Sequence, residues 1–230
     1  MDQFIYDTHV HTSEVSACAM ATAEDTVRFY KKIGFDGIVI TDHFVCYDKT
    51  PASNENWGKA VKALSIGYKK ARKIGDEIGL KVFFGWEYTR APHAGTDFLT
   101  YGLDEEWLLN HQEISAMELN NYCDFVRSEG GFIIHAHPFR EARYIDMIRL
   151  IPRKIDAVEV LSANRTDFEN ERADEYANNY SLYKTFGTDN HMGSLQKKVI
   201  GMSFDRQLLN INEFIAAIKD DNGKIFSKIY

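Results

Sequence analysis

Short apolar runs alternate with longer amphipathic segments along this chain. The runs over residues 37–40 and 81–87 are rich in Ile, Val and Phe, which is typical of buried strands. Over residues 56–78, apolar side chains recur at helical spacing and lysines fill the other side, so we predict a long amphipathic helix there. Strands that alternate with helices in this way form βα units, which build a mainly parallel sheet.

The same pattern extends over the rest of the chain. Thr22 resembles a helix N-cap, with Asp25 three residues later, and Gly34 ends that helix. Further helices are predicted at 113–128, 142–150, 168–179 and 211–219, a polar loop at 44–54, and further strands at 4–11, 97–102, 132–137, 156–161, 183–187 and 199–203. About seven βα units predict one domain over residues 1–230, folded as a closed or nearly closed barrel. The alternative is an open, doubly wound sheet, although its glycine-rich first turn is absent.

Composition narrows the class of protein. The 230 residues are 44% hydrophobic and 27% charged, which is ordinary for a globular domain. The net charge of −7 argues against binding to long nucleic acid, and there is no apolar run of roughly 20 residues that could span a membrane. Three cysteines without paired spacing argue against a disulfide framework. We therefore expect a reduced, cytoplasmic protein without a leader peptide, and the oligomeric state stays open.

Acidic and histidine side chains stand repeatedly where predicted strands end. Asp7, His9 and His11 alternate along the first strand, so they are expected to share one face. The other members of this set are His43, Glu87, His137, Asp189 and His191. In a βα barrel the carboxyl ends of the strands meet at one mouth, so these side chains should converge there.

Such a cluster is costly to hold together unless a positive ion lies between its members. Imidazole and carboxylate are ordinary ligands of zinc, iron and manganese. Because these ligands outnumber one tetrahedral site, the sequence predicts two or three divalent metal ions, and Glu87 could bridge two of them.

Five short motifs, in order, carry a resemblance to a known family. They are Asp7-Thr8-His9-Val10-His11-Thr12, Thr41-Asp42-His43, Gly85-Trp86-Glu87, Ala136-His137-Pro138 and Gly187-Thr188-Asp189-Asn190-His191. With this order and spacing the chain resembles the polymerase and histidinol phosphatase (PHP) superfamily. The resemblance implies a single-domain, distorted (β/α)7 barrel with a trinuclear metal site and phosphoester hydrolase activity.

The resemblance also implies a ligand set. One metal ion would be held by His9, His11, Glu87 and Asp189. Glu87 would bridge to a second ion, which is also held by His137. A third ion would use His43 and His191.

Two positions depart from the commonest family pattern. In the loop after His11, Ala17 occupies the spacing at which the family often has a ligand, so we expect Glu14 to substitute, with Cys18 as the alternative. Near the strand at 97–102, Asp97 stands where a histidine is common, with His93 as the alternative. These departures favour manganese or iron over an all-zinc centre.

The implied chemistry is hydrolysis of a phosphate ester of a small phosphorylated metabolite or nucleotide by a metal-activated water. Asp42, His191 or His135 could orient groups or carry a proton. Arginine forks suit the remaining phosphoryl oxygens, and the candidates are Arg140, which follows the His137 motif, then Arg165 and Arg90.

Other interpretations remain open on the sequence. The alternatives in function are a protein phosphotyrosine phosphatase, a nuclease acting on oligonucleotide ends and a non-catalytic metal-binding domain. His135 is at least as well explained as a core histidine, and His111 as a surface residue. Glu159 could pair with Arg165 or contact a metal ion.

Overall fold

The fold is a nearly closed barrel of strands with helices around it. The computed structural model describes residues 3–46, 53–90 and 95–230. The strands are β1 (Phe4–Val10), β2 (Gly37–Ile40), β3 (His43–Cys46), β4 (Lys81–Arg90), β5 (Asp97–Tyr101), β6 (Phe132–Ala136), β7 (Ala157–Ser162), β8 (Tyr183–Gly187), β9 (Lys198–Phe204) and β10 (Lys224–Ile229). The helices are α1 (Ala23–Lys32), α2 (Asn54–Ile78), α3 (Glu105–Asn110), α4 (Leu119–Ser128), α5 (Asp167–Tyr180) and α6 (Ile211–Lys219).

The sheet runs in the order β10-β9-β1-β2-β4-β5-β6-β7-β8, and β3 pairs with β4. The segment after β8 returns to β1 and nearly closes the barrel: Asn190 N donates to His9 O at 3.1 Å, and His11 N donates to Asn190 O at 3.0 Å. Thr8 Oγ1 also donates to Phe186 O at 3.1 Å. The predicted barrel class is therefore confirmed.

The barrel is distorted because not every strand is parallel. β5 pairs antiparallel with both β4 and β6, and β9 pairs antiparallel with β1 and β10. β5 follows β4 with no helix between them among the described residues, as the predicted strands at 81–87 and 97–102 imply. The parallel pairs β1–β2, β2–β4, β3–β4, β6–β7 and β7–β8 keep most strand ends at one mouth.

The helices begin largely where the sequence predicts. Thr22 Oγ1 accepts from Asp25 N at 3.2 Å and caps α1. Thr166 and Glu169 form a reciprocal capping box at α5. Gly79 ends α2 in the left-handed conformation, with φ of 75°, which glycine adopts without a Cβ penalty. None of the helices in the described parts of the chain is long and apolar enough to cross a membrane.

Several elements differ from the sequence-based prediction. The predicted loop at 44–54 begins as β3, and the helix predicted at 113–128 is a 3-10 helix, Gln112–Ala116, followed by α4. No helix forms over 142–150; Tyr144 and Met147 there are 55% and 56% exposed, so the apolar face has no core to pack against. Arg90, which lies beyond the strand predicted at 81–87, is the last residue of β4 and is buried.

Two glycines of α2 offer a matched stability prediction. A Cβ at Gly58 meets nothing within 4 Å, so Gly58→Ala should stabilise the protein by about 0.5–1 kcal/mol through backbone entropy. A Cβ at Gly67 would overlap Thr12 Oγ1 and lie 2.5 Å from Asp42 Oδ2. We expect Gly67→Ala to destabilise by about 1–3 kcal/mol, as overpacking does. Urea unfolding of both variants tests this, and equal stabilisation by the two would contradict the close approach of α2 to the Thr12 loop.

Candidate metal centre

Imidazole and carboxylate groups converge at the mouth of the barrel in three overlapping groups. In each, the donor atoms lie within 4.8 Å of one another. The inner group is His9, Glu87 and His137; the middle group is His9, His11 and Asp189; the outer group is His11, His43 and His191. The inner and middle groups are fully buried, whereas His43 and His191 are partly exposed. Strands and strand ends far apart in sequence therefore bring seven of the predicted ligands together.

Glu87 lies at the centre of these groups. Its Oε1 is 3.5 Å from His9 Nε2 and 3.2 Å from His137 Nε2. Its Oε2 is 3.4 Å from His11 Nε2 and 2.7 Å from His43 Nδ1. Because each oxygen faces a different pair of imidazoles, this carboxylate has the position of a bridging ligand.

Asp189, which follows β8, contacts two of these imidazoles, those of His9 and His11, and also that of His191. Its Oδ1 is 3.5 Å from His9 Nε2, 3.4 Å from His11 Nε2 and 3.2 Å from His191 Nδ1. His191 Nε2 is in turn 3.3 Å from His43 Nε2.

Both Asp189 and His137 have positive φ, 55° and 30°, outside the regions non-glycine residues prefer. Backbone strain of this kind is held in place at functional sites.

The donor set fits divalent metal ions. Four buried atoms face other donors and acceptors of the cluster but make no hydrogen bond of good geometry among the described residues: His9 Nε2, His11 Nε2, Glu87 Oε2 and Asp189 Oδ1. Buried polar atoms are normally paired, since each unpaired one costs about 1–3 kcal/mol. Cations bound between these nitrogen and oxygen donors would satisfy them, and the donor chemistry suits zinc, manganese or iron.

The charges of the cluster are set by its own contacts. Burial acts to raise the pKa of Glu87, but the nearby His43 and His9 outweigh it and hold that pKa well below its usual range. Burial likewise opposes ionisation of Asp189, but the nearby His9 and His11 imidazoles lower its pKa. Both carboxylates are therefore anionic at neutral pH, as metal ligands need to be.

Glu159 orients His9, a role that the sequence alone did not identify. Its Oε1 is 3.1 Å from His9 Nδ1, and its Oε2 accepts from His137 N at 3.1 Å. A carboxylate on one ring nitrogen fixes the imidazole so that the other nitrogen faces the metal. Among the described residues, Glu159 makes no ion pair with Arg165 and belongs to none of the three groups of candidate ligands, so its position differs from both expectations.

Asp7 does not join the cluster, although it alternates with His9 and His11. The pairing of β1 with β2 is irregular between Asp7 and Val10, which breaks the two-residue period. The Asp7 carboxylate instead accepts from Tyr30 Oη at 2.6 Å, from Thr188 N at 3.0 Å and from the Thr188 hydroxyl. Burial raises its pKa to about 6. Asp7 thus fixes the segment that carries Asp189.

Asp42, expected to act in catalysis, is a positioning residue in this structure. Its oxygens accept from Thr12 N, Thr12 Oγ1 and Ser16 Oγ, each at 2.7 Å. The side chain is buried, and burial raises its pKa to about 6. With both oxygens bound to the loop after His11, Asp42 holds that loop in place and does not line the cavity.

Glu14 is also displaced from its expected role as a ligand. Its Oε2 accepts from Ala23 N at 2.9 Å, and its Oε1 is 3.5 Å from Lys70 Nζ. The carboxylate therefore supports the start of α1, where the helix dipole favours an anion. Cys18 lies on the other side of the loop, with Sγ 3.2 Å from His43 Nε2. Hydrogen bonds to His191 and His43 lower the pKa of this thiol to about 6.

The remaining predicted residues lie near the cluster but outside its three groups, or outside the described residues. Asp97 lines the cavity, and its Oδ1 accepts from Thr89 Oγ1 at 2.5 Å, but it belongs to none of the three groups. His93 lies outside the described residues. His135 stacks on Phe98 with ring centroids 4.6 Å apart, and burial lowers its pKa to about 3, as for a neutral core histidine.

A cavity of about 1190 Å³ opens over the cluster. Arg140 and Arg165 line it, together with His43, Asp189 and His191. The Nε atoms of both arginines are buried without a hydrogen-bond partner in the described parts of the chain. Arg90, the third arginine expected to bind phosphate, does not line the cavity: its guanidinium donates to Ser115 O at 3.0 Å, beneath the surface.

Comparison with known proteins agrees with this geometry. The profile of the PHP domain family matches residues 7–222, so the chain belongs to that family. A search of curated proteins by sequence finds no match.

Solved structures share the fold at low sequence identity. A two-domain protein from Bacteroides vulgatus, which contains a predicted PHP-like metal-dependent phosphoesterase, has a TM-score of 0.69 at 14% identity; the match covers 98% of this chain and 65% of that one. A candidate metal-dependent phosphoesterase from Bifidobacterium adolescentis has a TM-score of 0.58 at 16% identity, covering 92% and 94%. An amidohydrolase from Chromobacterium violaceum, with bound sulfate and no metal, has a TM-score of 0.62 at 14% identity, covering 96% and 97%.

Proposed function

We propose that the protein hydrolyses phosphate monoesters of small molecules with a water molecule activated by two or three divalent metal ions. The observation that carries this proposal is the buried cluster around Glu87, which lies beneath a cavity lined by two arginines. Four of its donor atoms make no hydrogen bond among the described residues. Membership of the PHP domain family supports it.

The metal ions would lie within the inner, middle and outer groups. His9 Nε2 and His11 Nε2 each belong to two groups and would each bind one ion, because their Nδ1 atoms face Glu159 and Ser16. Glu87 would be shared between ions, since its two oxygens face different imidazoles. Bound there, divalent cations would neutralise phosphoryl charge and activate the attacking water. His191 would serve as a ligand and not as a proton carrier, because its ring nitrogens already face Asp189 and His43.

Arg140 and Arg165 would bind the phosphoryl oxygens. Guanidinium forks match the geometry of phosphate, and both side chains line the cavity with a buried, unpartnered Nε in the described structure. The two arginines favour a dianionic phosphate over the neutral amide that an amidohydrolase would take. Sulfate, which the Chromobacterium violaceum neighbour binds, is likewise a tetrahedral oxyanion.

The cavity suits a small organic substrate. Its volume of about 1190 Å³ is somewhat larger than the roughly 300–1,000 Å³ of most small-molecule pockets, so it has room for a whole ligand of drug size. Val15, Val45, Tyr144 and Met192 line the walls and would contact the organic part of the ester. A phosphotyrosine side chain of a protein would need the same cavity. Comparing hydrolysis of small monoesters with hydrolysis of a phosphotyrosine peptide distinguishes the two kinds of substrate.

The test is hydrolysis of p-nitrophenyl phosphate, of a panel of phosphorylated metabolites and of a phosphotyrosine peptide, before and after chelation. We expect turnover of small monoesters that is lost on chelation and restored by zinc or manganese. Preference for the peptide would move the assignment to a protein phosphatase. Metal-independent hydrolysis, or hydrolysis of amides but not of phosphate esters, would overturn the proposal.

A further inference from the structure

The outer group has a sulfur atom beside it. Cys18 Sγ lies 3.2 Å from His43 Nε2, and His43 Nε2 lies 3.3 Å from His191 Nε2. Cys18 is exposed to the cavity, whereas Cys46 and Cys123 are buried. One thiol and two imidazoles therefore face one another at the rim of the metal centre.

The loop around Cys18 is fixed to the outer ligands from both sides. On one side, Ser16 Oγ accepts from His43 N at 3.1 Å and lies 3.1 Å from His11 Nδ1. On the other side, Met20 N donates to His191 O at 2.7 Å. Residues on both sides of Cys18 therefore contact the three histidines. The position of the loop itself, and not only the rotamer of Cys18, places the sulfur near His43.

The third histidine of the outer group points into the same space. His11 Nε2 is buried and has no hydrogen-bond partner in the described structure, although Ser16 occupies its Nδ1. Because Ser16 fixes Nδ1, the Nε2 atom of His11 is the one that can bind a metal ion. Glu14, the carboxylate that the sequence offered for this position, is bound to the start of α1 instead.

We infer that Cys18 is a thiolate ligand of the outer metal site, which completes a set of one sulfur and three histidine nitrogens. Three nitrogens and one sulfur form a tetrahedral donor set of the kind that zinc prefers. Soft thiolate selects zinc or iron over manganese and magnesium. The outer site should therefore be the zinc- or iron-selective site of the centre, which differs from the sequence-based expectation only where that expectation favoured manganese.

The inference rests on the metal centre of the proposed function, so its test reads metal ligation directly. Metal-free protein is reconstituted with Co²⁺, and the near-ultraviolet spectrum is examined for a sulfur-to-cobalt charge-transfer band. We expect this band in the wild type and its loss in Cys18→Ser, with about one metal ion fewer per chain. Zinc affinity at that site should fall by more than about 100-fold, beyond the range for residues that only orient a ligand.

Two further variants separate ligation from general disturbance of the loop. Cys18→Asp should restore the metal count without the sulfur band and shift preference from zinc towards manganese. Glu14→Gln, in the same loop, should keep both the band and the metal count. Protection of Cys18 from iodoacetamide by Zn²⁺, measured by mass spectrometry of the intact protein, provides a second readout.

The outcomes separate this inference from the proposed function. Full metal content and an unchanged spectrum in Cys18→Ser would overturn the assignment of the thiolate while leaving the metal centre intact. A sulfur-to-cobalt band in a protein that hydrolyses no phosphate ester would support the ligand and overturn the proposed function. Wild-type protein that binds no metal would overturn both.

Discussion

Replacing Glu87 with Gln should abolish hydrolysis and empty more than one metal position. The carboxylate lies between four histidines, with oxygen-to-nitrogen distances from 2.7 to 3.5 Å. An amide of the same size cannot supply the negative charge or bridge two cations through both atoms. We expect metal content to fall by more than one ion per chain and kcat/KM to fall by more than about 100-fold, measured by elemental analysis and steady-state kinetics.

Glu159→Gln is the matched control for that experiment. Glu159 is equally buried but contacts the cluster only through His9 Nδ1 and the backbone of His137. Residues that orient a ligand typically contribute about 10- to 100-fold in activity or metal affinity, so this variant should lose less than Glu87→Gln and keep most of its metal. Equal losses in the two variants would argue against a bridging role for Glu87.

Removal of Arg140 or Arg165 should weaken phosphate binding without loss of metal. A charge-assisted hydrogen bond contributes about 1.5–3 kcal/mol, so each Ala variant should lower kcat/KM roughly 10- to 150-fold. Arg140→Lys should recover only part of the loss, because an ammonium group cannot form the two-pronged contact. Steady-state kinetics with p-nitrophenyl phosphate, together with the metal content, checks each variant.

Arg28→Ala supplies the control for these arginine variants. Arg28 lies on the exposed face of α1, where it pairs with Glu24 one turn away. Its removal makes the net charge of −7 more negative by the same one unit but should leave kinetics unchanged. If Arg140→Ala and Arg165→Ala also behaved as the wild type, neither guanidinium would bind the phosphoryl group.

The convergence of these side chains could be predicted because each stands at the end of a recognisable strand. His9, Glu87 and Asp189 follow apolar runs, and the barrel brings the ends of such runs to one mouth. The roles of Asp7 and Glu159 could not be predicted. An irregular strand pairing removes Asp7 from the cluster, and Glu159 reaches His9 from 150 positions away along the chain.

In the loop after His11, sequence spacing alone could not show whether Glu14 or Cys18 faces the cluster. Both Glu14 and Cys18 are near enough in sequence to replace a missing ligand, but hydrogen bonds of the folded loop decide between them. Glu14 turns towards Ala23 N, and the Ser16–Asp42 contact turns the loop so that Cys18 faces His43. Arg90 was misplaced for a related reason, since β4 extends beyond its predicted end and carries the side chain into the interior.

The most direct test of the account is the metal content of the purified wild-type protein by elemental analysis, before and after reconstitution with zinc or manganese. The three donor groups around Glu87 predict two or three tightly bound divalent ions per chain. Wild-type protein that binds no metal ion would contradict the central claim that these buried imidazoles and carboxylates form a metal centre. The same metal content in Glu87→Gln as in the wild type would also contradict it.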